Sequence, residues 1–259
     1  MTPLAMSCGD DVLAGWLHPA NGTVGVVIAV GGGQISCGPQ RLFLTLAKML
    51  SQAGHPVLRF DRRGIGDSTG NDPGYLESGP DIAAAVAALR TEAKGVTQVV
   101  GIGLCDAATA LLLDSDMVDS IIAMNPWPFE AGETRSAAAE RAHYRRRLLQ
   151  PAAWRRFFSG RVNPLPALMS VVRRRAAPPT SLALRIERAV AATADRATYI
   201  LSARDRTAAA FAGGPGRRAQ PVIRLDADHA FSGPGETDAL SAHILAIVDA
   251  IGARSAAGG

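Results

Sequence analysis

A chain of 259 residues, 47% of them apolar, is long and hydrophobic enough to bury a substantial core, which excludes a disordered or fibrous protein. No apolar run reaches membrane-spanning length, no basic segment followed by an apolar one opens the chain, and three cysteines, Cys8, Cys37 and Cys105, cannot close a disulfide framework; a soluble, unexported protein of the reducing cytoplasm is expected. The net charge of +4 hides an uneven distribution, because residues 126–196 hold fourteen arginines against five acidic side chains and the rest of the chain is net acidic.

Taken in order, Val12 to His18 alternates as an early strand and turns at Pro19-Ala20-Asn21-Gly22. The β-branched run from Thr23 to Val30 has the length of a strand covered on both faces. It ends in Gly31-Gly32-Gly33-Gln34, a loop whose backbone can approach a ligand closely. Leu42, Phe43, Leu46, Met49 and Leu50 share one face of a helix predicted over 39–53 and stopped by Gly54. Residues 56–61 form the next strand. Arg62 to Gly70 is a glycine-rich turn, but its spacing is not G-x-G-x-x-G and no helix opens behind it, so no nucleotide is expected there. A helix over 78–93, a strand over 98–102, a helix from Cys105 to Leu113 and a strand over 120–124 follow.

From Phe129 to about Arg196 the pattern is helical, arginine-rich and broken by Pro151, Pro164, Pro166, Pro178 and Pro179. Strand chemistry returns over 198–202 and 221–225, and an amphipathic helix over 237–251 closes the chain. Strands alternating with helices imply an α/β fold, a mostly parallel central sheet with helices on both faces. The chain thus divides into a core of residues 1–125 and 197–259 and an inserted helical, arginine-rich cap of residues 126–196. Such a cap lies over the carboxyl ends of the strands, where open α/β sheets bind ligands. The insertion has no aromatic-basic interleaving and no nucleic-acid reading motif; a solvated helical face, or attraction of an anionic small-molecule substrate, is expected instead.

The chemistry centres on Gly101-Ile102-Gly103-Leu104-Cys105-Asp106-Ala107-Ala108. A residue on a sharp strand-to-helix turn presents its side chain at the open end of a sheet, with the following backbone N–H groups pointing the same way, which is the geometry of a nucleophile elbow. Small residues at Gly103 and Ala107 permit the turn, and Cys105 occupies the nucleophile position. A cysteine nucleophile needs a base, an orienting acid and oxyanion donors. Chain order sets the acid after a late strand and the histidine later still. Ser202-Ala203-Arg204-Asp205 supplies Asp205, and Asp226-Ala227-Asp228-His229 supplies His229; Asp226 and Asp228 compete with Asp205 or shape the histidine's loop. His18 and His55 lie in turns, His143 in the insertion and His243 in the last helix. The oxyanion donors expected are the N–H of Asp106 and one from Gly33-Gln34. The helix N-terminus and an imidazolium at His229 would favour a Cys105 thiolate, which the Asp106 carboxylate opposes. This set requires neither metal nor cofactor.

With elbow, acid and histidine in this order, the sequence resembles the α/β-hydrolase superfamily, and Asp61-Arg62-Arg63-Gly64-Ile65-Gly66-Asp67-Ser68 looks like its D-x-R-G-x-G-x-S structural turn. More narrowly, Val30-Gly-Gly-Gly-Gln34, Gly103-Leu-Cys-Asp-Ala-Ala108, Asn125-Pro-Trp127 and the segments Tyr144 to Leu149, Trp154 to Phe157 and Ser159 to Asn163 resemble the exosortase A system-associated hydrolases, type 1. The resemblance implies an acyl-type hydrolase, an esterase or thioesterase, from an exopolysaccharide-making bacterium, with cysteine in serine's place. That family tends to carry proline at the position of Gly33, which favours Gln34 as the loop donor. Trp127 and Arg146, inside the resembling segments, are the expected substrate contacts. The alternatives are an acyltransferase built on the same acyl-enzyme and a noncatalytic binding protein.

Overall fold

A computed structural model describes residues 1–130 and 180–258. Among these residues eight strands form one sheet in the order β1-β2-β4-β3-β5-β6-β7-β8. They are β1 (Thr2–Cys8), β2 (Asp11–His18), β3 (Val24–Ala29), β4 (Val57–Phe60), β5 (Gln98–Leu104), β6 (Ser120–Met124), β7 (Ala197–Ser202) and β8 (Val222–Leu225). The pairs β1–β2 and β2–β4 are antiparallel, and all the others are parallel.

Among the described residues the α-helices are α1 (Leu42–Gln52), α2 (Gly79–Glu92), α3 (Asp106–Leu113), α4 (Ser181–Ala192), α5 (Arg206–Gly213) and α6 (Glu236–Gly258). Two apolar clusters, one per face, explain why the central strands read as continuous apolar runs. Val27 and Ala29 of β3 pack with Ile82, Leu111, Ile186 and Phe211 from α2, α3, α4 and α5. Val24, Val26 and Ile28 pack with Leu46 and Leu50 of α1 and Ile244 and Val248 of α6 on the other face. Alternate residues of one strand therefore serve opposite layers.

Three features depart from the sequence reading. Thr2–Cys8 is a strand ahead of the first one expected; Pro3 weakens its signal, but this is the sheet's edge, where proline is tolerated. The helix expected from Pro39 begins at Leu42, because Gln40 and Arg41 adopt left-handed φ of 46° and 66° and confine the first residues to a 3-10 turn. At the far end of the 126–196 segment, α4 buries Leu182, Ile186 and Val190 in the core cluster. Arg196 then ties the chain to the connection between α3 and β6 by donating to the carbonyls of Ser115 and Val118 at 2.6 and 2.9 Å. Residues 131–179, and with them most of the expected cap, lie outside the described residues. Among the described residues no helix is long and apolar enough to cross a membrane.

The topology locates the site. From β3 the chain moves to β4 on one side, and from β4 it crosses to β5 on the other, so connections diverge from the carboxyl ends of β3 and β5. A crevice opens at such a switch point. Gly103 allows β5 and α3 to meet there, since a Cβ would stand 2.7 Å from the backbone of Ala107 and Ala108. Gly103→Ala is therefore expected to destabilise the fold by about 1–3 kcal/mol, read as a lowered thermal midpoint; an unchanged midpoint would show that strand and helix do not approach this closely.

Candidate active site

Cys105 links β5 to α3 with φ 63° and ψ −124°. A positive φ in a non-glycine residue is strained, and such strain persists where the surroundings over-determine it. Here the Cys105 N–H donates to the Met124 carbonyl at 2.9 Å, and its own carbonyl accepts from Trp127 N–H at 3.1 Å and Thr109 N–H at 3.3 Å. The end of β6 and the first turn of α3 thus pin the residue, leaving the sulfur half-buried at the carboxyl edge of the sheet.

His229 follows β8, and its Nδ1 lies 2.8 Å from Asp205 Oδ2. Asp205 stands at the N-cap of α5, where its carboxylate also accepts from Thr207 N–H at 3.1 Å and Ala208 N–H at 2.9 Å. Burial pushes this carboxyl up, but the hydrogen bond and charge of His229 and the two N–H groups outweigh it, so the net shift is downward. His229 moves the other way. Its hydrogen bond with Asp205 and then one with Cys105 push it up to about 10 against the opposing effect of burial. The structure therefore brings together Cys105, His229 and Asp205, which the sequence placed on three separate strand ends.

Asp226 and Asp228, the competing acids, build the histidine's loop. Asp228 Oδ1 accepts from Ala230 and Ser232 N–H at 2.9 and 3.0 Å. Asp226 pairs with Arg204 at 2.8 Å, and Arg204 also grips Glu236. Of the other histidines, His18 is pressed down to about 4 by burial and by Arg59, from whose Nε it stands at 3.2 Å. His55 bridges the Val24 carbonyl and Asp249 at 3.3 and 2.8 Å, His243 is exposed, and His143 lies outside the described residues.

Three contributors are not evident from residue type and spacing. Asn125, fully buried at the end of β6 with φ 44°, accepts from Ser202 N–H at 2.7 Å and donates to Ser202 Oγ at 2.8 Å and the His229 carbonyl at 3.0 Å. It locks the acid strand and the histidine loop in register; its place in an Asn-Pro-Trp stretch after a strand was the available signal. Tyr75 packs against the cluster that holds Ala107 and Ala108 of α3, and burial followed by the Asp106 charge pushes its phenol up to about 12. Gly32, at the tip of the loop after β3, donates its N–H to Asp106 Oδ2 at 2.8 Å.

Of the expected loop donors, Gln34 directs its N–H back to the Gly31 carbonyl at 3.2 Å. This closes a turn and withdraws the donor that the resemblance favoured. Gly33 is exposed, with open space around its Cα. Trp127 stands beside the elbow through its backbone, its indole donating to the Phe129 carbonyl at 2.9 Å and its ring meeting that of Phe129 edge-on at 4.9 Å. Arg146 lies outside the described residues. Among the described residues no cluster of three or more His, Cys, Asp or Glu side chains is placed to hold a metal.

A sequence model described as "Alpha/beta hydrolase family" matches residues 26–240. Among curated proteins no sequence matches. Among solved structures, Pyrococcus furiosus esterase Pf2001 superposes with a TM-score of 0.64 at 14% identity, over 96% of this chain and 91% of that one. Dienelactone hydrolase from Anabaena variabilis superposes at 0.61 with 15% identity, over 94% of each chain. Proline iminopeptidase from Mycobacterium smegmatis superposes at 0.64 with 13% identity, over 98% and 100%. At these identities the likeness is one of fold.

Proposed function

Because the chain belongs to the alpha/beta hydrolase family, we propose that it hydrolyses small carboxylic esters or thioesters through an acyl-enzyme on Cys105. One observation carries this reading: Cys105 sits on the strand-to-helix turn at φ 63°, near enough to His229 to help hold its imidazole up, and His229 Nδ1 stands 2.8 Å from the Asp205 carboxylate. The thiolate attacks the substrate carbonyl carbon, and the C=O electron pair moves to oxygen, where the Asp106 N–H and a donor from the Gly31–Gln34 loop receive it. Collapse expels the alkoxide or thiolate, which takes the His229 proton. Neutral His229 then accepts a proton from water, the hydroxide attacks the thioester, and the sulfur departs as thiolate beside the re-formed imidazolium. Asp205 holds the imidazole in place throughout.

Esters and thioesters suit this site better than amides, whose leaving group demands stronger protonation than a histidine held up to about 10 supplies. The resemblance of Gly103-Leu104-Cys105-Asp106-Ala107-Ala108 to the exosortase A system-associated hydrolases supports cysteine as the natural nucleophile, in an exopolysaccharide-making bacterium. The arginine excess of residues 126–196 supports an acyl substrate bearing an anionic group, with Arg146 and Trp127 as contacts. All three cysteines are free, which suits a reducing cytoplasm.

The test is a panel of p-nitrophenyl esters and acyl thioesters of graded chain length, neutral and anionic, with and without an alcohol acceptor. Free acid as the product, with anionic substrates turned over faster, is expected. An acyl-alcohol product in place of the acid would make the protein an acyltransferase, and no turnover of any member would leave a noncatalytic binding protein.

A further inference from the structure

The loop after β3 is clasped at a single residue. The Gly32 N–H donates to Asp106 Oδ2 at 2.8 Å, while the Gly32 carbonyl accepts from Arg62 Nη2, also at 2.8 Å. The other carboxylate oxygen of Asp106 accepts from Ala107 N–H at 3.0 Å. A Cβ on Gly31 would fall 1.8 Å from Asp106 Oδ1, so only glycine lets the carboxylate lie against the loop. Arg62 is nearly fully buried, and its Nε and Nη1 have no hydrogen-bond partner. Its hold on the loop therefore runs through the Gly32 carbonyl, with a longer 3.5 Å ion pair to Asp72.

The Asp106 carboxylate reveals where the Gly32 N–H points: at the first residue of α3, next to Cys105. The backbone N–H of Asp106 opens that helix and has no intrahelical acceptor. The Asp106 N–H, one residue beyond Cys105, is the donor expected of an elbow, and the Gly32 N–H is aimed at that same residue, but a carboxylate already sits on it. Two negative charges cannot share that place in a half-buried site without strong repulsion.

We propose that the Asp106 side chain is a built-in competitor for the oxyanion pocket: it caps the Gly32 N–H in the resting protein and must swing away before that N–H can receive the developing oxyanion. This rests on the acyl-enzyme reading and assigns the loop donor within it to Gly32. Arg62, holding the opposite end of the same peptide, keeps the N–H aimed at the elbow once the carboxylate has left. Asp106 is on this account a positioning residue that sets how readily the pocket accepts charge.

The experiment compares the full-length protein with Asp106→Ala and Asp106→Asn using two probes of the same sulfur. Iodoacetamide alkylation of Cys105 reads the thiolate and needs no oxyanion donor. Hexanal adds to the sulfur without a leaving group, forming the S–C bond while the C=O pair moves to oxygen, and its affinity is read from protection against alkylation. With alkylation rates as the reference, hexanal affinity is expected to rise about tenfold or more in Asp106→Ala. A smaller rise is expected in Asp106→Asn, whose amide oxygen still accepts from Gly32 without the charge. Should the alanine variant fail to fold, the asparagine variant decides by the sign of its change. Unchanged or weaker hexanal binding at constant alkylation overturns the proposal, and shows that Asp106 braces the pocket instead. A Cys105 that iodoacetamide leaves untouched in all three proteins overturns the acyl-enzyme reading and the competitor with it, whereas reactive sulfur with no ester turnover fails the hydrolase reading alone.

Discussion

Cys105→Ala is expected to lower turnover of esters and thioesters by a factor on the order of 10⁴ or more, measured as kcat/KM on the best p-nitrophenyl substrate. The size follows from the site's construction. On the proposed reading the residual pocket would still bind substrate and offer N–H donors, while the sulfur that attacks would be gone. The serine variant separates the chemistry of sulfur from that of position. A hydroxyl in the same place needs a neutral imidazole to take its proton, whereas the Asp205 hydrogen bond, the largest cause of the raised His229 value and one the serine variant keeps, favours the imidazolium. Cys105→Ser is accordingly expected to be nearly as inactive as the alanine variant near neutral pH and to recover only as the imidazole loses its proton. Wild-type rates in Cys105→Ala would show that another residue attacks.

Asp205→Asn is expected to lower kcat/KM by roughly 10²–10⁴, and to shift its pH profile in a definite direction. In the proposed acylation step the His229 imidazolium protonates the leaving group, so activity in the native protein is expected to fall as pH rises through about 10. The largest cause of that high value is the Asp205 hydrogen bond, and an amide removes its charge, so the alkaline limb should move down toward the ordinary 6.5. Asparagine still caps a helix well, which keeps α5 in place and ties the change to the histidine. Stability follows the same groups. The raised His229 contributes stability that is fully present below 6.5 and is lost as pH rises through about 10. The lowered Asp205 contributes above 3.8 and loses its share as pH falls through its depressed folded value. Thermal midpoints across pH 6.5 to 10 should therefore decline in the native protein and decline less in Asp205→Asn, which keeps only the Cys105 contribution; parallel curves would contradict the coupling.

Much of this geometry is legible in the sequence because local chemistry and tertiary placement agree. A strand that ends in Gly-x-Cys-x-Ala and runs straight into a helix has few ways to turn, and the structure puts Cys105 at φ 63°. Asp205 and His229 follow strands that face the same edge, so their order along the chain brings them near one another. Residues whose role depends on partners distant in sequence are less visible. The Gly32 N–H meets an acceptor 74 residues away, and Asn125 reaches Ser202 across 77; no local pattern marks the first, and the Asn-Pro-Trp stretch singles out the second without showing its partner. Gln34 illustrates the limit directly, because a motif cannot show that its N–H closes onto the Gly31 carbonyl. Helix α4 reads as part of an arginine-rich insertion because Arg185 and Arg188 punctuate it, although Leu182, Ile186 and Val190 repeat at the spacing of one buried face.

The most direct measurement is the intact mass of the protein quenched during turnover of a p-nitrophenyl ester, followed by peptide mapping. One acyl group on the peptide that contains Cys105, formed at the rate of p-nitrophenol release and missing from Cys105→Ala, is the predicted result. Ester hydrolysis that proceeds with no acyl mass at Cys105, or with the acyl group on another residue, would contradict it.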